Sequence, residues 1–412
     1  MQKSKTIIVV GGGYGGINTA IGLSKRLNNK DSKIILVDKQ DYHLYYPNLY
    51  EVASAEEEFT SIKDLKKSLV LPFKELLPTA IQFVRGSLEM ISQKNNTIKV
   101  DGKELAYDYL VVALGSTIDF FGIPGVAENS LTMKSVNDAL KIKNAVEFLV
   151  ESHRQDSIKK LLRIVIAGGG FTGVELAGEL INLVDIVSWK YHYPLERIQI
   201  EIIEGSGQLI PGMSAVVSGA VLHRLKNFDV SVMLNSMITN VAPKLITLNN
   251  GEMISYDLLV WTGGVKSVDV PMAEPGKTDR KHRCMTEPDL TMTGYNNIYL
   301  IGDNACIMDK HNTPLPQTAT QAIMHSDYVV SALTARIQNK KPPTFVAESS
   351  PFIIPIKGKW AVLSLPNGFT MTGFIPWLAK IFANVRYYNR LMPLNKAISY
   401  AWFETKLYTK ND

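Results

Sequence analysis

TIIVVGGGYGGINTAIGLSKRL, residues 6–27, decides the fold: a compact β-branched run from Thr6 to Val10, a turn of Gly11, Gly12, Gly13, Tyr14, Gly15 and Gly16, then a helical pattern. In the G-x-G-x-x-G register, Gly11 makes a tight turn, Gly13 lets a pyrophosphate approach the backbone, and Gly16 permits close helix–strand packing. The helix N-terminus behind them offers N–H groups and a positive dipole end. A second apolar strand, KIILVD, runs from Lys33 to Asp38, with Lys39 beyond it. A carboxylate at that strand end can accept both ribose hydroxyls of an adenosine. Glycine turns also close βα units that bind nothing, but strand, helix and terminal acid together favour a dinucleotide site.

The pattern returns in RIVIAGGGFTGVELAGEL, residues 163–180, with Gly168, Gly170 and Gly173 in the same register. QIEIIE, residues 199–204, puts Glu204 where the second ribose-binding acid belongs, after a longer gap. Ile98-KVDGKELAYDYLVVALGS also matches Ile246-TLNNGEMISYDLLVWTGG, aligning Tyr107-Asp108 with Tyr256-Asp257, and Gly115 with Gly263 or Gly264. One dinucleotide-binding plan is used twice. Asn297-IYLIGDNA then gives a buried strand ending in Gly302-Asp303. Asp303 can either hold the ribityl chain of a flavin or cap the following segment, and its place after the repeat favours the flavin. The second unit is thereby inserted into the first.

The chain has 412 residues, 46% apolar and 20% charged, an ordinary globular balance that predicts two or three domains. Cys284 and Cys306 are far from any C-x-x-C spacing, which excludes a dithiol centre, and seven scattered histidines suggest no metal site. No apolar run reaches the roughly 18 residues needed to span a bilayer.

His43-LYYPNLYEVAS, the paired fingerprints, Trp261-TGG, Tyr299-LIGDNA and Leu315-PQTATQAIMH together resemble the two-dinucleotide-binding-domain flavoproteins, and among them the type II NADH:quinone oxidoreductases. The resemblance covers nearly the whole chain. It implies FAD at the first site, enclosed by Tyr46, Ala113 to Ser116, Gly302, Asp303 and Gln321, and NADH at the second, around Gly168, Gly170, Gly173, Glu204, Thr262 and Gly263. Glu204 is followed by Gly-Ser-Gly without an arginine, which disfavours a 2′-phosphate. The resemblance further implies a ubiquinone or menaquinone site at the A-Q-x-A-x-Q motif. In one register Gln317, Ala319 and Gln321 fit and Pro316 replaces the first alanine; in the other Gln321 leads, Thr320 replaces the alanine and His325 the second glutamine. Gln321, with Gln317 and His325 beside it, is therefore the expected quinone-side amide, the alternative being a helix cap near Thr318. Glu175 matches the family's glutamate near nicotinamide and flavin, the alternative being an acid complementing the helix dipole.

From Phe374 to Asp412 six bases face two acids, so this tail carries +4 of the net +5. Leu394, Ile398, Ala401, Thr405 and Tyr408 follow a helical period among aromatic residues, the pattern of a segment lying in an anionic headgroup region or packing on the protein or on a homodimer partner. The expected layout is an FAD-binding part at 1–118, an NADH-binding domain at 119–271, a returning FAD-binding part at 272–345 and a membrane-association region at 346–412. Such a protein lies peripherally on the cytoplasmic face of the cell membrane and has no call on nucleic acid. A ferredoxin or rubredoxin reductase, or a redox-sensing flavoprotein, would use the same nucleotide sites but gives no reason for the tail. A sulfide:quinone oxidoreductase or disulfide reductase lacks its cysteines.

Overall fold

The computed structural model describes residues 4–28, 30, 32–55, 62–154 and 161–409. Strand Lys5–Val10 ends in four fully buried residues, Ile7 to Val10, which suits the middle of a parallel sheet covered on both faces. It pairs in parallel with Ser32–Asp38 on one side and Tyr109–Val112 on the other, and Ile81–Arg85 and Ile298–Leu300 complete five strands. Leu162–Ala167 plays the same part in a second parallel sheet, between Ile198–Ile203 and Leu258–Trp261, with Ser231–Met233 and Leu131–Thr132 at its edges.

The repeat read from the sequence is a repeat of elements. An antiparallel meander, Leu88–Ser92, Thr97–Val100 and Lys103–Ala106, precedes Tyr109–Val112; another, Ile238–Ala242, Leu245–Leu248 and Met253–Ser255, precedes Leu258–Trp261. The duplicated Tyr-Asp has a physical use. Asp108 Oδ2 accepts from the Thr6 N–H at 2.8 Å and Asp257 Oδ2 from the Arg163 N–H at 3.0 Å, so each aspartate pins the start of its unit's central strand. The chain leaves the first sheet at Val112, builds the second, and returns at Ile298–Leu300. Ser116–Ile118 and Val265–Ser267 pair antiparallel where it crosses.

The sequence reading missed a three-stranded sheet, Phe352–Pro355, Ala361–Ser364 and Thr370–Gly373. Ile354, Ile356 and Val362 share a core with Leu176, Ala177 and Leu180 of the second glycine helix, and a Cβ at Gly178 would lie 2.9 Å from the Lys357 nitrogen. Helices Phe374–Leu391 and Leu394–Tyr408 follow. The expected single stripe on the last helix is corrected: Ala397, Ala401, Glu404 and Tyr408 are buried, whereas Leu394 and Ile398 are 53% and 52% exposed beside Trp402 at 71%. Polar anchors set this rotation. The Tyr388 hydroxyl donates to Glu404, and the Tyr408 and Ser68 hydroxyls bond each other. One face therefore completes the core and the other is outward, carrying apolar side chains that continue to Phe374, Ile375 and Phe382 beside the exposed Arg386, Lys396 and Lys406. Lys410 and Asp412 of the charged tail lie outside the described residues.

Candidate active site between two glycine loops

Both loops sit at the carboxyl edges of their sheets and repeat each other's geometry. Gly11 and Gly168 have φ of +100° and +111°, which favours glycine. A Cβ on Gly16 would lie 1.7 Å from the Gly11 carbonyl oxygen, and one on Gly173 1.9 Å from that of Gly168, so each helix packs directly on its own turn. Gly13 and Gly170, by contrast, would meet nothing within 4 Å, and each is the N-cap of its helix with no side-chain cap. The first-turn N–H groups thus face open space, as an anion would require.

The strand-end acids brace the loops. Asp38 accepts from the Gly12 N–H at 2.5 Å and the Gln40 N–H at 2.7 Å; Glu204 accepts from the Gly169 N–H at 2.6 Å and the Ser206 N–H at 2.7 Å. Each oxygen keeps a second acceptor position for a ribose hydroxyl. A cavity of about 320 Å³ runs from Gly11 past Asp38 and Lys39 to Gly86 and Leu114. Loop and cavity together fit an adenosine diphosphate.

Other expected residues support the loops from behind. A Cβ on Gly12 would strike the Phe73 ring, and one on Gly15 would meet Ile301. Tyr14 is buried, edge-on to His43 at 5.0 Å and tilted against Tyr387 at 5.0 Å. Ala113 and Gly263 back onto Gly11 and Gly168, and the Thr262 hydroxyl donates to the Gly168 carbonyl at 2.9 Å. His43, foreseen only as part of a motif, ties the C-terminal region to the first loop. Its Nδ1–H donates to the Gly12 carbonyl at 3.0 Å and its Nε2 accepts from the Tyr387 hydroxyl at 2.7 Å. Burial holds its pKa down at about 4.

At the returning strand, Gly302 has φ +62° and Asp303 accepts from the Ser116 hydroxyl at 2.5 Å, so it is not a helix cap. Asn304 donates to the Gly115 carbonyl at 3.1 Å and accepts the Gly115 N–H at 3.0 Å, locking the two strand ends together. Ser116 falls within the expected enclosure, whereas Asn304 does not stand out in sequence, because polar residues after a strand are commonplace.

Helix Ala319–Ile337 is capped by Thr318, whose hydroxyl accepts the Gln321 N–H at 3.3 Å, so the Gln321 side chain is not the cap. That side chain is buried, donates to the Glu348 carbonyl at 2.9 Å and leaves its own carbonyl oxygen without a partner. Gln317 donates to the Asp303 carbonyl at 3.1 Å. The Nδ1 of His325 accepts the Gly302 N–H at 3.1 Å, so it braces that turn, while its buried Nε2 has no hydrogen-bond partner among the described residues, and burial holds its pKa at about 4.

A second cavity, about 380 Å³, is shared by all parts of the chain: Tyr46 and Pro47 from the first unit, Met133 and Glu175 from the second, Thr320 from the capped helix and Lys380 from the C-terminal region. Glu175 lies beyond the first turn of its helix, so it does not act as a dipole complement. Burial pushes its carboxyl up to about 8, opposed by the Lys380 ammonium, which itself bonds Glu51 at 2.9 Å. Burial also pushes the carboxyl of Glu404, on the last helix, up to about 8. Cys284 and Cys306 are buried, and burial raises both thiols, Cys284 to about 11. Such thiols are poor nucleophiles at neutral pH.

A family described as pyridine nucleotide-disulphide oxidoreductase matches residues 5–326. The type II NADH:quinone oxidoreductase of Haemophilus influenzae is 29% identical over 390 residues, 89% of this chain and 88% of that protein. The structure of NDH2 from Plasmodium falciparum in complex with NADH superimposes with a TM-score of 0.85 at 19% identity, covering 98% and 99% of the two chains. The sulfide:quinone oxidoreductase of Aquifex aeolicus gives a TM-score of 0.76 at 19% identity, covering 99% and 92%. At such identities the structural likenesses speak for the fold alone, and fold does not choose the chemistry.

Proposed function

The chain belongs to the pyridine nucleotide-disulphide oxidoreductase family, and from that premise we propose that it is a type II NADH:quinone oxidoreductase, with FAD on the first glycine loop and NADH on the second. The observation that carries this reading is the 380 Å³ cavity, into which both nucleotide units and helix Phe374–Leu391 contribute. The bound flavin would supply the redox chemistry, accepting a hydride from NADH and passing two electrons to a quinone.

The chain's own residues supply position and electrostatics. Gly13 and Gly170 let two pyrophosphates approach helix N-termini, while Asp38 and Glu204 take the riboses. Holding the two nucleotides on facing units makes the hydride step effectively unimolecular. Glu175, protonated below about pH 8, is placed to hold or give a proton at the cavity wall. Gln321, with Gln317 beside it, is the proposed amide on the acceptor side. The high thiol pKa values in this chain speak against the sulfur chemistry of its sulfide-oxidising structural neighbour.

No helix among the described residues is long and apolar enough to cross a membrane. The outward face of Phe374, Ile375, Phe382, Leu394, Ile398 and Trp402 supports peripheral docking at a membrane surface, where a lipid-soluble quinone is reached, and the cytoplasmic leaflet is the proposed side. The division at residues 118, 271 and 345 remains part of this proposal.

Anaerobic stopped-flow absorbance tests the reading. Addition of NADH should bleach a flavin band, and a short-chain quinone should restore it rapidly. Bleaching without reoxidation by quinone would move the acceptor to a protein.

A further inference from the structure

Lys134 belongs to the second unit, yet its side chain reaches the turn of the first. It lies immediately after Met133, which lines the shared cavity. Its Nζ donates to the Ser116 hydroxyl at 2.9 Å, and that hydroxyl donates onward to Asp303 Oδ2 at 2.5 Å. The same Nζ stands 5.0 Å from the centre of the Tyr46 ring, which lines the cavity as well. Three groups assigned to the first nucleotide's surroundings thus converge on one ammonium carried by the other unit.

The backbone of Lys134 is fixed as firmly as its side chain. Ser135 is the N-cap of helix Val136–His153 and accepts the Asp138 N–H at 3.1 Å, while Asp138 Oδ2 accepts the Lys134 N–H at 3.1 Å. The pair resembles a capping box shifted by one residue, since the third-position aspartate returns to the residue before the N-cap, and it ties the Lys134 backbone to the helix start. Lys134 is therefore presented from a rigid helix start and not from a mobile loop. Burial draws its ammonium below the ordinary lysine range and Asp303 draws it back. Such a group is held in place for its charge, because an apolar side chain would fill the same space without the desolvation cost.

Hydride transfer explains what a charge here would do. NADH leaves as NAD⁺, and one proton with two electrons enters the first site, so that site gains one negative charge. We propose that Lys134 is a positioning residue of the first site: through Ser116 it orients Asp303, and its ammonium compensates the negative charge that the hydride brings, so that the second unit sets the redox poise of the first. This rests on the assignment of a flavin to the first glycine loop. It adds a residue and an electrostatic role which the glycine fingerprints do not contain.

The test is a spectroscopic redox titration of the flavin in the purified holoprotein against indicator dyes, for wild type, Lys134→Met, Lys134→Arg and Ser116→Ala. In Lys134→Met the ratio of reduced to oxidised flavin at a given potential should fall about tenfold, equivalent to a midpoint lowered by ~30 mV for a two-electron couple. Lys134→Arg should recover most of that shift. Ser116→Ala keeps the charge and breaks the chain to Asp303, so it should weaken flavin retention several-fold with a smaller midpoint change. An unshifted midpoint in Lys134→Met overturns the proposal, as does an equal shift in Lys134→Arg, which would mark a packing role. If Lys134→Met does not fold, Ser116→Ala decides: a wild-type midpoint and wild-type flavin retention in Ser116→Ala overturn it. Wild-type protein that binds no flavin overturns the assignment of the first site and this proposal together.

Discussion

Gly170→Ala separates the proposed nucleotide-binding role of the second loop from its structural role. The residue has φ −72° and ψ −172°, extended backbone that alanine adopts without strain, and an added Cβ would meet nothing within 4 Å. As an N-cap, alanine costs only about 1 kcal/mol or less relative to glycine, so the melting temperature should move by a few degrees at most. The methyl would instead occupy the space through which a pyrophosphate approaches the first-turn N–H groups. Losing one hydrogen bond to a charged group costs about 1.5–3 kcal/mol, which corresponds to roughly a 10- to 150-fold rise in KM for NADH. Gly173→Ala is the contrasting variant. Its Cβ would lie 1.9 Å from the Gly168 carbonyl oxygen, so it should lower stability first. Steady-state kinetics with a dye acceptor and thermal melts on both variants give the comparison. A folded Gly170→Ala protein with KM for NADH within twofold of wild type would refute the placement of the pyrophosphate on this loop.

Gln321→Ala should leave flavin bound and NADH–dye reduction within a few-fold of wild type while slowing quinone reduction at least tenfold; equal loss of both activities would remove Gln321 from the acceptor side. Glu175→Gln should abolish an inflection near pH 8 in the rate of reoxidation by quinone, where the native rate falls as the carboxyl loses its proton, and an unchanged profile would assign that ionisation elsewhere. His325 is neutral in the fold with a pKa near 4 against 6.5 ordinarily, so the unfolded chain takes up a proton first. Its contribution is intact above pH 6.5 and disappears as the pH falls towards 4, about 3 kcal/mol in full. His325→Gln should flatten the fall in melting temperature between pH 6.5 and 4.5, and an identical slope would show that the histidine is already charged. Phe382→Ser with Trp402→Ser removes two rings that are 73% and 71% exposed; sedimentation with anionic vesicles should drop strongly with dye activity unchanged, and retained binding would place the docking face elsewhere.

Much of the fold was legible because its determinants are local. The glycine registers at Gly11 and Gly168, the buried runs on either side and the acids at Asp38 and Glu204 are requirements of a turn, a strand and a helix start, all satisfied within one βα unit. The duplicated Tyr-Asp was visible too, although its purpose, pinning the Thr6 and Arg163 N–H groups, became clear only with the sheets assembled. The sequence by itself thus determined two dinucleotide-binding units, one threaded through the other, and a basic, aromatic C-terminal segment. The tertiary structure alone decided what joins them. Lys134 and Asp303, His43 and Tyr387, and Glu175 and Lys380 are distant in the chain and carry no mutual spacing signal. The same holds for the last helix: periodicity grouped Leu394 with Ala401 and Tyr408, but the buried Tyr388–Glu404 bond fixed its rotation and turned Leu394 and Ile398 outward. A helical period identifies apolar faces, while the choice of which face is buried depends on partners that only folding brings into contact.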